Sequence, residues 1–229
     1  MNASAPHLPA LLQLASSALP VGGFGYSQGL ESAVETGHVH DEASAAQWID
    51  DLLQLGFARA EARWWRRASD ALQANDVATF TEINAQCWAS RETRELRQET
   101  EQTGRSLVKW LRALPRTSLT EETLDALNAL RPITWPCAHA AACFALELPA
   151  AHGLQALGWS LLENQILGAV KLVPLGQDAG QRILHTLGQR LPNLVADVLA
   201  GDAEPNTFLP LLALHSSAHE SQFNRLFRS

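Results

Sequence analysis

The chain has 229 residues, 46% of them hydrophobic, and a formal net charge of −7. This length can bury one sizeable core, and the acidic balance argues against a protein that binds nucleic acid through its charge. The first residues carry no signal-peptide pattern, and the longest apolar stretch, 154–173, is interrupted by charged and amide side chains. We therefore expect a cytoplasmic protein without a membrane span.

Helical periodicity and capping residues run through the first third of the chain. We expect a short helix over 8–15 and a second helix over about 26–36, which Gly37 ends as a C-cap. A long helix over about 41–74 has one apolar stripe with spacings of three and four residues. Asp76 then caps the helix that follows.

The later segments continue the helical pattern. A charged helix should begin near Arg91 and include Leu111, with Gly104 as an unexplained weak point, and Ser118-x-x-Glu121 has the form of a capping box. Four prolines mark further helix boundaries: Pro136, Pro149, Pro174 and Pro192. Because no β-branched run alternates with polar residues, we predict no strand. The sequence predicts an all-α, single-domain irregular helical bundle of about ten helices that covers residues 1–229.

Two groups of side chains in these helices have simple structural interpretations. Arginines and glutamates alternate over 91–99, which is typical of a solvated helix face with internal ion pairs. The three cysteines, Cys87, Cys137 and Cys143, are odd in number and lie in apolar surroundings. They indicate reduced, buried thiols rather than a disulfide framework.

One short motif favours an enzyme. Residues Gly25 to Gly29 match G-x-S-x-G, the strand-to-helix turn that presents a nucleophilic serine in α/β-hydrolases. That turn needs a preceding strand, but residues 18–23 form a loop interrupted by proline and glycine. We therefore favour a helix-start loop, and keep a serine hydrolase that uses Ser27 as the alternative function.

Metal and nucleotide sites have weaker support. The chain has no G-x-x-x-x-G-K-[ST] motif, so we expect no nucleotide bound by a P-loop. His38-x-His40 and His215-x-x-x-His219 each offer two histidines, but a stable metal site generally needs three or four ligands. We expect no bound metal, no cofactor and no catalytic residue.

The C-terminal residues 215–229 form a distinctive tail. Ser217-x-x-Glu220 has the form of a capping box, and Phe223, Leu226 and Phe227 follow at helical spacing. We therefore expect an amphipathic helix over 216–229. Its apolar stripe could bind a partner protein or pack on the core of its own chain, and the sequence leaves both possibilities open.

Four segments resemble the UreF family of urease accessory proteins in the same order. They are the N-terminal signature over 11–31, the charged segment over 91–107, the KLVPLGQ segment over 171–181 and the closing segment over 219–229. Two departures are visible: Ser217-Ala218 stands where the family often has methionine and arginine, and Phe223 replaces a tyrosine. These departures affect the details of the tail rather than the family.

The resemblance implies an all-α accessory protein that forms homodimers. Its implied partners are UreD (also called UreH), the GTPase UreG and the urease apoprotein, into which the complex helps to insert nickel. GTP hydrolysis would belong to UreG, so the chain would be a non-catalytic adaptor.

The matching segments also assign partner-binding residues. Four are expected on the surface that meets the GTPase: Glu31, Lys171, Gln177 and Gln181. Seven are expected in the tail that binds UreD: His219, Glu220, Phe223, Arg225, Leu226, Phe227 and Arg228.

Overall fold

The computed structural model describes residues 7–114, 119 and 121–228. Twelve α-helices and no strand occur in this part of the chain, which confirms the all-α prediction. The helices are α1 (Leu8–Ala15), α2 (Leu30–Glu35), α3 (Glu42–Asp51), α4 (Ala62–Gln73), α5 (Val77–Ala89), α6 (Arg94–Ala113), α7 (Glu121–Ala129), α8 (Trp135–Ala145), α9 (Ala150–Leu172), α10 (Gln177–Gly188), α11 (Leu191–Ala200) and α12 (Pro210–His219).

The predicted long helix is a continuous rod whose middle is π-helical. A π-helical segment, Leu52–Glu61, joins α3 to α4 without a break. Asp41 starts the rod with a capping box, in which its carboxylate accepts from the Ser44 backbone N–H at 2.8 Å. Asp76 caps α5 through the Thr79 N–H at 2.9 Å, as predicted.

The start of the second helix differs from the sequence prediction. The second helix begins at Leu30 rather than near Tyr26, because Gly29 adopts φ +78° just before it. Gly37, with φ +75°, follows the end of this helix as expected. Ser118 of the proposed capping box lies outside the described residues.

Helix α9 lies at the centre of the fold. It packs against α1, α10 and α11, while α8 packs between α4 and α6. Buried side chains from α1 through α11 form one hydrophobic cluster. Among the described helices, none combines the length and the uninterrupted apolar surface that a bilayer crossing requires.

Gly104 lies where α6 packs directly against the backbone of residues 133 and 134, just before α8. A Cβ atom at this position would lie 2.9 Å from the Thr134 carbonyl carbon, closer than Cβ atoms approach backbone. The glycine therefore lets α6 lie against the 133–134 backbone. This contact explains the weak point in the sequence of the charged helix.

Candidate partner-binding site

Helix α12 ends at His219, so the predicted amphipathic helix over 216–229 is wrong for residues 220–228, which are not helical. Ser217-x-x-Glu220 lies in the last turn of α12 rather than at a helix start. Residues 220–228, called here the C-terminal segment, begin with turns and then lie against the body of the protein. Near its end, the Arg228 N–H donates to the Gly25 carbonyl at 2.8 Å.

Glu31 is the main anchor of the C-terminal segment. It lies in the first turn of α2 and is only 7% exposed. Its carboxylate accepts from the Leu226 N–H at 2.6 Å and from the Phe227 N–H at 2.9 Å. A helical tail would donate these two N–H groups to its own carbonyls, so their bonds to Glu31 explain why the segment is not helical.

His219 joins Glu31 to a second buried carboxylate. Its Nε2 lies 3.1 Å from a Glu31 oxygen, and its Nδ1 lies 2.9 Å from a Glu95 oxygen. The other Glu95 oxygen accepts from Arg225 at 3.0 Å. Burial raises the pKa of the Glu95 carboxyl, while the adjacent His219 and Arg225 act in the opposite direction.

Polar contacts with α6 extend this attachment. Glu220 accepts from the Arg94 backbone N–H at 2.9 Å, in the first turn of α6. The Arg228 guanidinium donates to Gln102 at 2.8 Å, and the Tyr26 hydroxyl donates to the same amide oxygen at 2.6 Å. The segment therefore has hydrogen bonds to the loop before α2 and to α6.

The apolar side chains of the segment point in different directions. Phe227 is buried, and Lys171 places its ammonium 5.5 Å from the centre of the Phe227 ring. Phe223 and Leu226 are 97% and 65% exposed. The segment thus packs on its own chain through Phe227 and presents Phe223 and Leu226 to solvent. Binding of a partner by these two exposed side chains stays a prediction.

The residues predicted for the GTPase surface do not share one environment. Lys171, Gln177 and Gln181 are exposed at the end of α9 and the start of α10. Glu31 is buried beneath the C-terminal segment, so the expectation that it lies on the surface is wrong. The same correction applies to His219 and Phe227 in the predicted tail surface, because these residues are 0% and 7% exposed.

The charged helix also departs from its predicted solvated face. Glu95 is 4% exposed, and Arg91 forms a largely buried ion pair with Glu61. Burial raises the pKa of the Glu99 carboxyl to about 7, although a hydrogen bond from Gln28 favours its ionised form. Sequence reasoning missed Glu95 because alternating charges normally indicate solvent exposure.

Ser27 does not have the setting of a hydrolase nucleophile. It follows a short 3₁₀ turn, Gly23–Gly25, and no strand occurs in the described part of the chain. Its side chain is buried, and its hydroxyl accepts from the Glu31 N–H at 3.3 Å. The structure therefore gives no support to the serine hydrolase alternative.

The two histidines of the His215-x-x-x-His219 pair lie in different environments. His215 packs against His38, with 5.5 Å between ring centres, whereas His219 lies between its two carboxylates. Burial, reinforced by the proximity of His38, lowers the pKa of His215. Within the described residues, no three His, Cys, Asp or Glu side chains are grouped so that they could hold a metal ion.

Comparisons with known proteins agree with the resemblance in the four segments. A family model described as UreF matches residues 39–188. The chain is 52% identical to the bifunctional urease accessory protein UreEF of Bordetella bronchiseptica, over 98% of this chain and 52% of that protein. It is 51% identical to the urease accessory protein UreF of Bordetella parapertussis, over 95% of this chain and 100% of that protein. It is 42% identical to the urease accessory protein UreF of Polynucleobacter asymbioticus, with both chains fully covered. The chain belongs to the UreF family of urease accessory proteins.

Proposed function

We propose that this protein is a cytoplasmic, non-catalytic adaptor that binds UreD and the GTPase UreG as a homodimer, so that nickel can be inserted into apo-urease. The observation that carries the proposal is the contact between Lys171 and the Phe227 ring, at 5.5 Å. This contact places the exposed start of the Lys171–Gln181 segment beside the C-terminal segment. Two partners that bind these neighbouring surfaces would be held next to each other.

The surface for UreD consists of the exposed part of the C-terminal segment. Phe223 and Leu226 supply apolar area, and Glu220, Arg225 and Arg228 of the same segment supply exposed charge. Burial of a side chain such as Phe or Leu contributes about 1.5–3 kcal/mol before ordering costs. Glu31 already holds the backbone of the C-terminal segment. The entropy cost of ordering this segment on binding UreD would therefore be smaller than for a free tail.

A single substitution tests this surface against a matched control. Phe223→Ala should weaken co-purification with UreD, because it removes an exposed side chain without affecting the buried network. Phe208→Ala is the control, since Phe208 is 76% exposed but lies outside the C-terminal segment. Equal recovery of UreD with both variants and the wild type would contradict the assignment.

The surface for UreG consists of Lys171, Gln177 and Gln181. All three side chains are exposed at the junction of α9 and α10, where Pro174 and Gly176 separate the helices. A lysine near the C-terminal end of a helix also interacts favourably with the helix dipole. This interaction stabilises the helix by roughly 0.3–1 kcal/mol and requires no partner. Glu31 would act on this surface indirectly, through the C-terminal segment.

A matched lysine separates partner binding from stabilisation of the helix. Lys171→Ala removes an exposed lysine in the last turn of α9, and Lys109→Ala removes an exposed lysine just before the last turn of α6. We expect Lys171→Ala to lower the UreG content of the purified complex and the nickel content of urease, with UreD retained. Lys109→Ala should leave all three at wild-type values. Wild-type UreG content for Lys171→Ala would place the GTPase surface elsewhere.

A further inference from the structure

A buried histidine faces a carboxylate oxygen at each of its ring nitrogens. His219 Nε2 is 3.1 Å from Glu31 and Nδ1 is 2.9 Å from Glu95, and the imidazole has 0% exposure. A neutral imidazole has one N–H donor and one acceptor nitrogen, so it could donate to only one of the two carboxylates. Its other nitrogen would then present a lone pair to an oxygen lone pair. Only the imidazolium donates at both nitrogens.

We propose that His219 is a buried imidazolium that acts as a positioning residue: it fixes the Glu31 carboxylate so that Glu31 binds the Leu226 and Phe227 amides and seats the C-terminal segment. The attachment of the C-terminal segment to the helical body involves only residues of this chain. The effect of this attachment on partner recruitment rests on the proposed function.

The charges around the imidazole support this protonation state. Glu31 from α2 and Glu95 from α6 face the ring, and Arg225 of the C-terminal segment faces Glu95. With His219 protonated, two carboxylates are matched by two cations. With His219 neutral, two buried carboxylates would share Arg225 alone, and Glu220 would add further negative charge close to Glu95. Unmatched buried charge is strongly destabilising.

The hydrogen bonds to the carboxylates support the same arrangement. Glu31 accepts from two backbone N–H groups in addition to the ring, so both of its oxygens act as hydrogen-bond acceptors. Glu95 accepts from the permanently charged guanidinium of Arg225. The competing arrangement moves the proton from His219 to Glu95, the carboxyl whose pKa burial raises. It would keep the geometry but leave the imidazole neutral.

Nitrogen NMR of the histidine side chains separates these two arrangements in the full-length protein. At neutral pH we expect both ring nitrogens of His219 to show the chemical shifts of protonated nitrogens. The resonance is assigned by its loss in His219→Gln. One unprotonated nitrogen would show that the imidazole is neutral and would overturn the proposal. This measurement on the wild type remains decisive even if a variant fails to fold.

Amide exchange tests the positioning role. In His219→Gln, the new side-chain amide can donate to one carboxylate but turns its carbonyl oxygen toward the other. The Leu226 and Phe227 amides should therefore exchange at least about tenfold faster than in the wild type, as expected for the loss of a charged hydrogen bond. The Ile166 amide, in the middle of the central helix α9, reports any general loss of structure. His185→Gln is the control on α10, where the histidine is exposed. Unchanged exchange of the Leu226 and Phe227 amides in His219→Gln would overturn the positioning role.

A second substitution should rescue the first. When Glu95→Gln is added to His219→Gln, the new amide at position 95 can donate to the side-chain carbonyl introduced at position 219, and its own carbonyl can still accept from Arg225. We expect the double variant to recover most of the lost protection, whereas a role in packing alone predicts no recovery. Neither measurement requires a partner protein. Intact seating without UreD binding would therefore refute the proposed function and leave the role of His219 standing.

Discussion

Replacing Glu31 should release the C-terminal segment while leaving the helical body folded. Glu31→Ala removes the acceptor for the Leu226 and Phe227 amides and one of the two acceptors for His219. Hydrogen bonds to charged groups contribute about 1.5–3 kcal/mol each, so the two amide bonds represent about 3–6 kcal/mol. The C-terminal segment can open and expose its amides to water. The measured loss of stability therefore cannot exceed the free energy needed to open the segment in the wild type.

We expect the opening free energy of the segment to fall by about 3 kcal/mol, equivalent to roughly a hundredfold faster exchange of the two amides. Global unfolding in urea should change much less, because the segment lies at the periphery of the core. Glu35→Ala is the matched control, since Glu35 is exposed on the same helix. Wild-type protection of the two amides in Glu31→Ala would refute the anchoring role of Glu31.

Three further substitutions test other parts of the structure. Gly104→Ala should destabilise the protein by about 1–3 kcal/mol in urea unfolding, because the added methyl group would overpack against Thr134. Gly168→Ala is the control: its methyl group would lie 3.5 Å or more from its neighbours, so it should be neutral or stabilising. Higher stability of Gly104→Ala than of the wild type would contradict the close contact. Because burial raises the pKa of Glu99 to about 7, the folded state binds more protons than the unfolded state between pH 4.5 and 7, and Glu99 lowers stability as the pH rises through this range. Glu99→Gln should therefore be more stable relative to wild type at pH 8 than at pH 4, and a pH-independent difference would contradict this. Ser27→Ala should leave urease activation intact, and loss of activation with the fold preserved would reopen a direct role for Ser27.

Local signals in the sequence predicted most of the helical framework. Asp41, Gly37 and Asp76 mark helix ends through interactions within a few residues, and those interactions form as expected. The exposed positions Lys171 and Gln177 also agree with the prediction of a turn between two helices. The assignment of these residues to a partner surface remains a prediction, as does the single-domain organisation.

The conformation of the C-terminal segment could not be read from its own residues. The spacing of Phe223, Leu226 and Phe227 fits a helix, but the acceptor that determines the backbone conformation is Glu31, 196 residues before Phe227. Glu95 was misread for a related reason: its charge suggested solvent exposure, while His219 and Arg225 supply its partners from more than 120 residues away. Helical periodicity carries no information about such long-range contacts.

Reconstitution of the complex tests the adaptor function most directly. Tagged UreD is mixed with UreG in the presence and absence of this protein, and the UreG retained with UreD is measured. The adaptor function predicts that UreG is retained only when this protein is present, and that Phe223→Ala reduces the retention of UreG and of this protein together. Equal retention of UreG with and without this protein would contradict it.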